Sequence, residues 1–257
     1  MQRHAFSLVE LSIVLVILGL LTGGILGGQS LIRAAELRSI STDTSRIITA
    51  AQTFRDKYFA MPGDMNNATS FWGKSAADCN AHTGTAATPG TCNGNGNGVV
   101  DVGGAANGPT ESLRFWQQLA LAGLIEGSYT GNAGPAAGID AIIGTNTPRM
   151  RIGTAGWWMG YVDNSANTFT NLFVNNYTNW ILSGTDNDSY LDDGYLNAEE
   201  AWNVDTKMDD GQPARGSVFS RNYAGCTTST VSTDLSTTYA LNVRTANACP
   251  LYFRAFN

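Results

Sequence analysis

A single carboxylate stands at the start of a nearly solid apolar run. Glu10 follows Leu8 and Val9, and the segment Leu11–Gly28 then carries no charged residue. A carboxylate within a membrane costs roughly 2.5–3.5 kcal/mol on insertion scales, so an acid at such a depth indicates a functional role and a cationic partner. An ordinary secretory signal peptide or a plain membrane anchor has no need of it. Glu10 is therefore the first candidate for a functional residue.

A Gly-Asn segment places oxygen-bearing side chains at alternate positions. The oxygens fall on positions 1, 3, 5 and 9 of a calcium loop, and Gly98 occupies position 6. Position 12, where such loops carry an acid, is Gly104, and neutral amides would weaken the binding. Two interpretations stay open, a weak calcium site or a Gly-Asn loop closed by Cys92, and neither requires a cofactor. The four candidate ligands are Asn93, Asn95, Asn97 and Asp101.

Two further groups of aspartates are interpreted as structural. The segment Asp205–Asp210 has the Asp210-Gly211 signal of a hairpin turn, with Lys207 as a neutralising charge. The segment Asp186–Asp193 is typical of a solvated loop.

The sequence has four cysteines, and none of them forms a CxxC pair, which disfavours zinc or thioredoxin-type chemistry. An even number outside the cytoplasm indicates disulfides, and four cysteines allow three pairings. We favour the local pairs Cys79–Cys92 and Cys226–Cys249, because each closes a short loop.

Composition excludes several classes of protein. The only histidines are His4 and His82, which argues against a His-based catalytic triad or a multi-His metal site. No nucleophile–base set supports an enzyme. The net charge of −6 argues against a general nucleic-acid binder, so no nucleic-acid partner is predicted.

One long helix must position Glu10. The segment Phe6–Gly28 would extend about 35 Å as a helix, enough to cross a bilayer core of about 30 Å. Beyond it the pattern becomes amphipathic and predicts a single helix from Phe6 to Phe59, ended by Pro62-Gly63. Its apolar face comprises Ile40, Thr44, Ile47, Ala51, Phe54 and Tyr58.

The segment Phe6-Ser-Leu-Val-Glu-Leu11 resembles the processing site of type IV prepilins and pseudopilins. The resemblance implies a short basic leader, residues 1–5, that prepilin peptidase removes before Phe6. Glu10 would then be the fifth mature residue. The departure is Ala5, where the family usually has Gly. The resemblance also implies N-methylation of Phe6, anchoring in the inner membrane, an assembly platform, and identical or related pilin subunits as partners.

Residues 60–257 form the predicted globular part. The segments Tyr58–Thr69 and Trp202–Pro213 look like a recurrent globular type found behind prepilin leaders. A helix capped by Thr110 and stopped by Gly123 is predicted, and Asn197 with Glu200 predicts a capping box. The predicted strands are Trp157–Val162, Phe169–Val174, Tyr177–Leu182, Val218–Tyr223, Thr228–Val231 and Tyr239–Val243, with a turn at Asn175-Asn176.

The sequence thus predicts an α+β protein in which a long N-terminal helix packs on an antiparallel sheet domain with large loops. The expected divisions are a leader (1–5), a membrane-spanning or filament-core half-helix (6–28), an amphipathic half-helix (29–59) and a β domain (60–257). We expect a structural subunit of a type IV pilus or a type II secretion-like filament, with its globular domain in the periplasm before assembly. The alternative is a membrane-anchored periplasmic binding protein or enzyme that uses the helix only as an anchor.

The leader and Phe6 predict cleavage between Ala5 and Phe6. N-terminal mass spectrometry of membrane-extracted protein should find a chain that starts at Phe6 and carries an N-methyl group. A chain that starts near residue 25 would instead indicate a secretory signal peptide.

Overall fold

The computed structural model describes residues 8–75, 90–102, 111–135, 139–187, 190–243 and 245–256. The elements follow one another as α1, α2, α3, β1, β2, α4, β3 and β4. Their bounds are Leu8–Tyr58 (α1), Thr69–Trp72 (α2), Glu111–Leu121 (α3), Gly156–Asp163 (β1), Asn176–Gly184 (β2), Ala198–Met208 (α4), Val218–Phe219 (β3) and Leu251–Phe256 (β4). The α+β class predicted from the sequence is confirmed.

The 51-residue helix α1 is exposed in its first half and buried along one stripe of its second half. Ile40, Ala51 and Phe54 are fully buried in the core of the domain. They recur at the helical spacing that the sequence predicts for the core-facing side. Phe59 follows with a φ of 55°, and this left-handed residue ends the helix before Pro62.

The four strands form one antiparallel sheet in the order β1-β2-β4-β3. Trp157 on β1 and Phe253 on β4 face the core cluster that also holds the buried stripe of α1. Trp158 and Tyr252, one position along, face a second cluster on the other side of the sheet. Both faces of the sheet are therefore covered, which fits the almost continuous burial along β1, β2 and β4.

The sheet departs from the predicted strands in six places. The segment 169–174 is not a strand but part of the loop that joins β1 to β2, and Asn176 lies in β2 rather than in a turn. The predicted strand from Val218 is only two residues long, the segment 239–243 contributes only an isolated bridge from Tyr239 to Thr227, and the segment 228–231 forms neither strand nor bridge. The central strand β4 was not predicted.

Helix α4 begins with the predicted capping box. The Asn197 side chain accepts a hydrogen bond from the Glu200 N–H, and the Glu200 carboxylate accepts one from the Asn197 N–H. The sequence predicts a short helix from this box through Trp202, whereas the helix continues to Met208. In α3, Gly123 adopts a φ of 71° just after the last turn, as the predicted stop requires.

The capping carboxylate of α4 also fastens the domain to α1. Arg33 Nε lies 2.6 Å from Glu200 Oε1, and Arg33 Nη2 lies 2.8 Å from Glu200 Oε2. The same guanidinium reaches Glu36 on its own helix at 3.0 Å. A bidentate pair fixes direction as well as distance. The first charged residue beyond the apolar half-helix is therefore held against the globular domain.

Cys226 and Cys249 form a disulfide, with 5.1 Å between their Cα atoms. Cys92 is also disulfide-bonded, and its predicted partner Cys79 lies outside the described residues.

The aspartates of the segment 186–193 are not all solvated, contrary to the sequence interpretation. Asp192 is 6% exposed and forms an ion pair with the equally buried Arg221. This pair secures the chain between β2 and α4 to the segment after β3.

Candidate functional site

Glu10 lies in the first turn of α1 and is exposed. The processing residues Ala5 and Phe6 lie outside the described part of the chain. The helix is long and apolar enough to cross a membrane, and none of its apolar window is buried within the molecule. An exposed apolar surface of this length requires a partner, which is either lipid or other protein.

The glycines of this half-helix leave its surface open. An added Cβ at Gly19, Gly23, Gly24 or Gly27 would meet no atom within 4 Å. Spacings of four residues between small residues allow two helices to approach closely in an apolar medium. The glycines therefore offer a packing surface on the same helix that carries Glu10.

The Gly-Asn loop is built around two buried carboxylates that the sequence analysis missed. Asp64, 3% exposed, accepts backbone hydrogen bonds from Gly96, Asn97 and Gly98. Glu111, at the start of α3, is fully buried and accepts from the N–H groups of Asn95 and Asp101. The five N–H groups turn inward to these two acids, which fixes the conformation of the loop.

Only three of the four candidate calcium ligands come together. Asp101 Oδ2 accepts hydrogen bonds from the side-chain amides of Asn95 (2.7 Å) and Asn97 (3.1 Å). Asn93 points elsewhere, because its Oδ1 accepts from the Thr69 N–H at the start of α2. Calcium binding by this loop stays a prediction, with the exposed Asn95 and Asn97 and the half-buried Asp101 as the ligands that come together.

Burial raises the pKa of both carboxyl groups beneath the loop. For Glu111, burial outweighs the two backbone hydrogen bonds and raises the pKa to about 7, with a contribution from the negative charge of Asp64 and Asp101. The pKa of Asp64 is raised by the same cause. Buried Arg114 lies nearby, interacts electrostatically with Glu111, and donates to the Asn93 carbonyl at 3.3 Å. The two acids beneath the loop therefore hold their protons more tightly than exposed carboxyl groups do.

The second acidic group surrounds the end of α4 rather than a hairpin, so that interpretation was wrong. Carboxylate oxygens of Asp205, Asp209 and Asp210 lie within 4.8 Å of one another. Asp205 is fully buried and accepts from the Tyr239 hydroxyl at 2.9 Å and from the Gly211 N–H at 3.1 Å. Among the described ion pairs, none joins Lys207 to these aspartates.

Burial raises the pKa of Asp205 to about 7, aided by the charges of Asp210 and Asp209 and opposed by the hydrogen bonds from Tyr239 and Gly211.

Comparison with known proteins identifies the N-terminus. Residues 1–26 match the family model of the prokaryotic N-terminal methylation motif, which is the prepilin signature of type IV pilins and pseudopilins. The predicted resemblance is confirmed over those residues. No curated protein and no solved structure has significant similarity to the chain.

The raised pKa of Asp205 predicts a pH-dependent stability. In the unfolded chain its pKa is the ordinary 3.8, so between about pH 4 and pH 7 the folded state holds the proton more tightly. The contribution of Asp205 to stability should therefore fall as the pH rises through this window, by at most about 4 kcal/mol. Asp205→Asn removes the titration, while its amide can still accept from Gly211 and donate to the Tyr239 oxygen.

The measurement is the free energy of unfolding of the detergent-solubilised chain in denaturant at pH 5 and pH 8. We expect Asp205→Asn to be more stable than wild type at pH 8. Its free energy of unfolding should also change less between pH 5 and pH 8 than that of wild type. The control is Asp56→Asn, because Asp56 is an exposed aspartate of α1 that does not contribute to the shift of Asp205. Equal pH dependence in wild type and Asp205→Asn would contradict the prediction.

The calcium prediction is tested by chelation. If the loop binds calcium, a chelator should lower the melting temperature of the wild-type protein, and Asp101→Ala should abolish that difference. Asp210→Ala removes an acid from the other cluster and should leave the chelator effect intact. No chelator effect at millimolar calcium would leave the loop as a purely structural one.

Proposed function

We propose that this chain is a structural subunit, a pilin or pseudopilin, of a type IV pilus or type II secretion-like filament, and that it is not an enzyme. The observation that carries the proposal is the exposed apolar half of α1, which has Glu10 at its start and lies largely within the residues that match the methylation motif. The motif implies processing by prepilin peptidase and assembly into pilus-like filaments.

The helix supports a location as well as a role. An apolar segment of this length is consistent with anchoring in the inner membrane before assembly. We propose that the globular domain then faces the periplasm and that the assembly platform extracts the chain into a filament of identical or related subunits. In the filament, neighbouring helices would replace lipid around the apolar half of α1.

The rigid junction of helix and domain fits a filament subunit. The Arg33–Glu200 pair and the buried stripe from Ile40 to Phe54 hold α1 to the domain on both sides of residue 36. A helix that served only as an anchor would need no such fixed geometry. When the domain is fixed to the helix, the axial position of the helix in the filament core also sets the position of the domain at the filament surface. The alternative role, a membrane-anchored periplasmic binding protein or enzyme, assigns no purpose to Glu10.

Glu10 is proposed to pair with the amine that cleavage leaves on Phe6, most simply that of a neighbouring subunit. Within a helix core that excludes water, a lone carboxylate is costly, and the pair neutralises two charges at once. Removing one partner of a buried pair typically costs about 3–5 kcal/mol. The pair also selects one axial position for a helix that could otherwise slide along its apolar neighbours.

The proposal predicts that Glu10→Leu and Glu10→Ala are inserted and cleaved normally but assemble poorly or not at all. Each variant is expressed as the sole copy, cleavage is checked by mass, and sheared filaments and cross-linked oligomers are counted. Val9→Leu, which keeps the charge of the segment, is the matched control and should assemble like wild type. Normal assembly of Glu10→Leu would remove the main support for the proposed function.

A further inference from the structure

A groove with three arginines runs along one flank of α1. It has a volume of about 560 Å³, and α1, the segment after α3 and the segment before β1 supply its walls. We call it the arginine groove. Its arginines are Arg46, Arg149 and Arg151, and its apolar walls include Trp116, Leu124 and Ile125.

The groove has more positive than negative charge. Arg46 and Arg151 share a single carboxylate, that of Asp43, at 3.7 Å each. Arg149 is exposed and forms no ion pair within the described part of the chain, and Glu126 is the other acid of the groove. The protein as a whole has a net charge of −6, whereas this groove has more basic than acidic side chains and is therefore complementary to an acidic partner.

An acidic surface of the same chain lies on the other side of α1. We call Trp202, Asp209 and Asp210 the acidic cap. Asp210 and Trp202 are exposed, and the Trp202 indole lies near Gly211, next to Asp210. An exposed tryptophan beside charged groups has the composition of a contact anchor.

Helical geometry separates the two surfaces. The cleft between α1 and α4 uses Ala34, Leu37, Arg38 and Ser41 of α1, whereas the groove uses Asp43, Arg46, Ile47 and Ala50. The groove is also lined by Ser45, Thr49 and Thr53, and at 3.6 residues per turn the two sets are then centred more than a third of a turn apart, on opposite flanks of the buried stripe. The acidic cap, at the end of α4, therefore cannot share the flank of α1 that carries the groove.

A filament requires two such surfaces. A contact between two different patches of the same molecule, repeated without closing into a ring, generates an open helical assembly. Resting on the proposed function, we propose that the arginine groove of one subunit binds the acidic cap of a second copy of this chain. This contact determines which subunit lies beside each globular domain, just as the Glu10 pair determines which subunit lies beside each helix.

The two proposed contacts, cap with groove and Phe6 amine with Glu10, require the second copy to shift in the same direction along α1. Glu200 lies beside Arg33 and Met208 lines the same cleft as Ser41, so α4 runs alongside α1 and ends near the level of residue 41. The groove is centred near residue 48. Docking the cap into the groove moves the second copy by about 10 Å toward the C-terminal end of α1. Because Phe6 precedes Glu10 in the sequence, pairing its amine with Glu10 of the first copy requires a shift in the same direction.

The test is a charge exchange in the full chain as sole copy. Arg149→Glu should lower the yield of sheared filaments about tenfold or more, because like charges then oppose each other across the contact. Asp210→Lys should do the same, and the double variant should recover most of the yield. Arg55→Glu is the matched control, because it makes the same change of charge at an exposed position of α1 outside the groove.

Two outcomes overturn the contact. One is an Arg149→Glu variant that assembles as well as Arg55→Glu, and the other is a double variant with no recovery. Glu10→Leu is run in parallel: if wild-type filaments depend on Glu10 but not on Arg149, the proposed function stands and only this contact is wrong.

Cross-linking tests the contact without relying on filament yield. Two chains, one with Arg149→Cys and one with Asp210→Cys, are co-expressed, and a disulfide-linked mixed dimer is sought by mass spectrometry. We expect the mixed dimer to exceed either homodimer several-fold, since only the mixed pair faces across the contact. Absence of the mixed dimer from both filaments and membranes overturns the proposal, and homodimers alone would indicate a symmetric contact of another kind.

Discussion

The structure depends on one constraint, that a single helix must satisfy two different surroundings. In the described part of the chain, no residue of the apolar window in the first half of α1 is buried, while the second half lies in the core of the domain. The boundary falls near Arg33, where the first charge after the apolar run is taken up by Glu200 and Glu36. Because α1 is continuous, whatever fixes the exposed half also fixes the orientation of the domain. The Arg33–Glu200 pair and the buried stripe of α1 therefore link the orientation of the domain to that of the helix.

The domain around that helix relies on polar contacts as much as on its sheet. The sheet has only four strands, one of them two residues long, and long loops connect its elements. Buried acids order several of these loops. Asp64 and Glu111 hold the Gly-Asn loop, and Asp205 holds the turn after α4 through Gly211. A backbone with few ladder partners still needs acceptors for its N–H groups, and a buried carboxylate can supply several at once.

Elements with a strong local signal were predictable from the sequence, namely α1, the capping box of α4, β1 and β2. The errors have physical causes. The segment 169–174 has the composition of a strand, but the buried Asn164 side chain donates to the carbonyls of Phe169, Leu172 and Phe173 and folds it into a loop. The segment after Phe219 leaves the sheet because Ser220 and Asn222 bond to the carbonyls of distant loops. The Asn164 partners lie 5–9 residues away, whereas the partners Pro250 and Thr170 lie 30 and 52 residues away, and none of these contacts leaves a periodic trace in the sequence.

The candidate sites likewise differ in whether the sequence could predict them. Glu10 could be found from sequence because its signal is a contrast between one acid and its apolar neighbours. Asp64 and Glu111 could not. Asp64 lies 32–34 residues and Glu111 10–16 residues from the loop N–H groups that donate to them, and neither acid carries a local sequence pattern. The arginine groove likewise exists only in three dimensions, since α1 brings Arg46 beside Arg149 and Arg151 from a segment a hundred residues away. A helical assembly needs long-range complementarity of this kind in addition to its N-terminal motif. The motif alone can specify that helices associate, but only surfaces carried by the folded domain can specify which neighbour each domain meets.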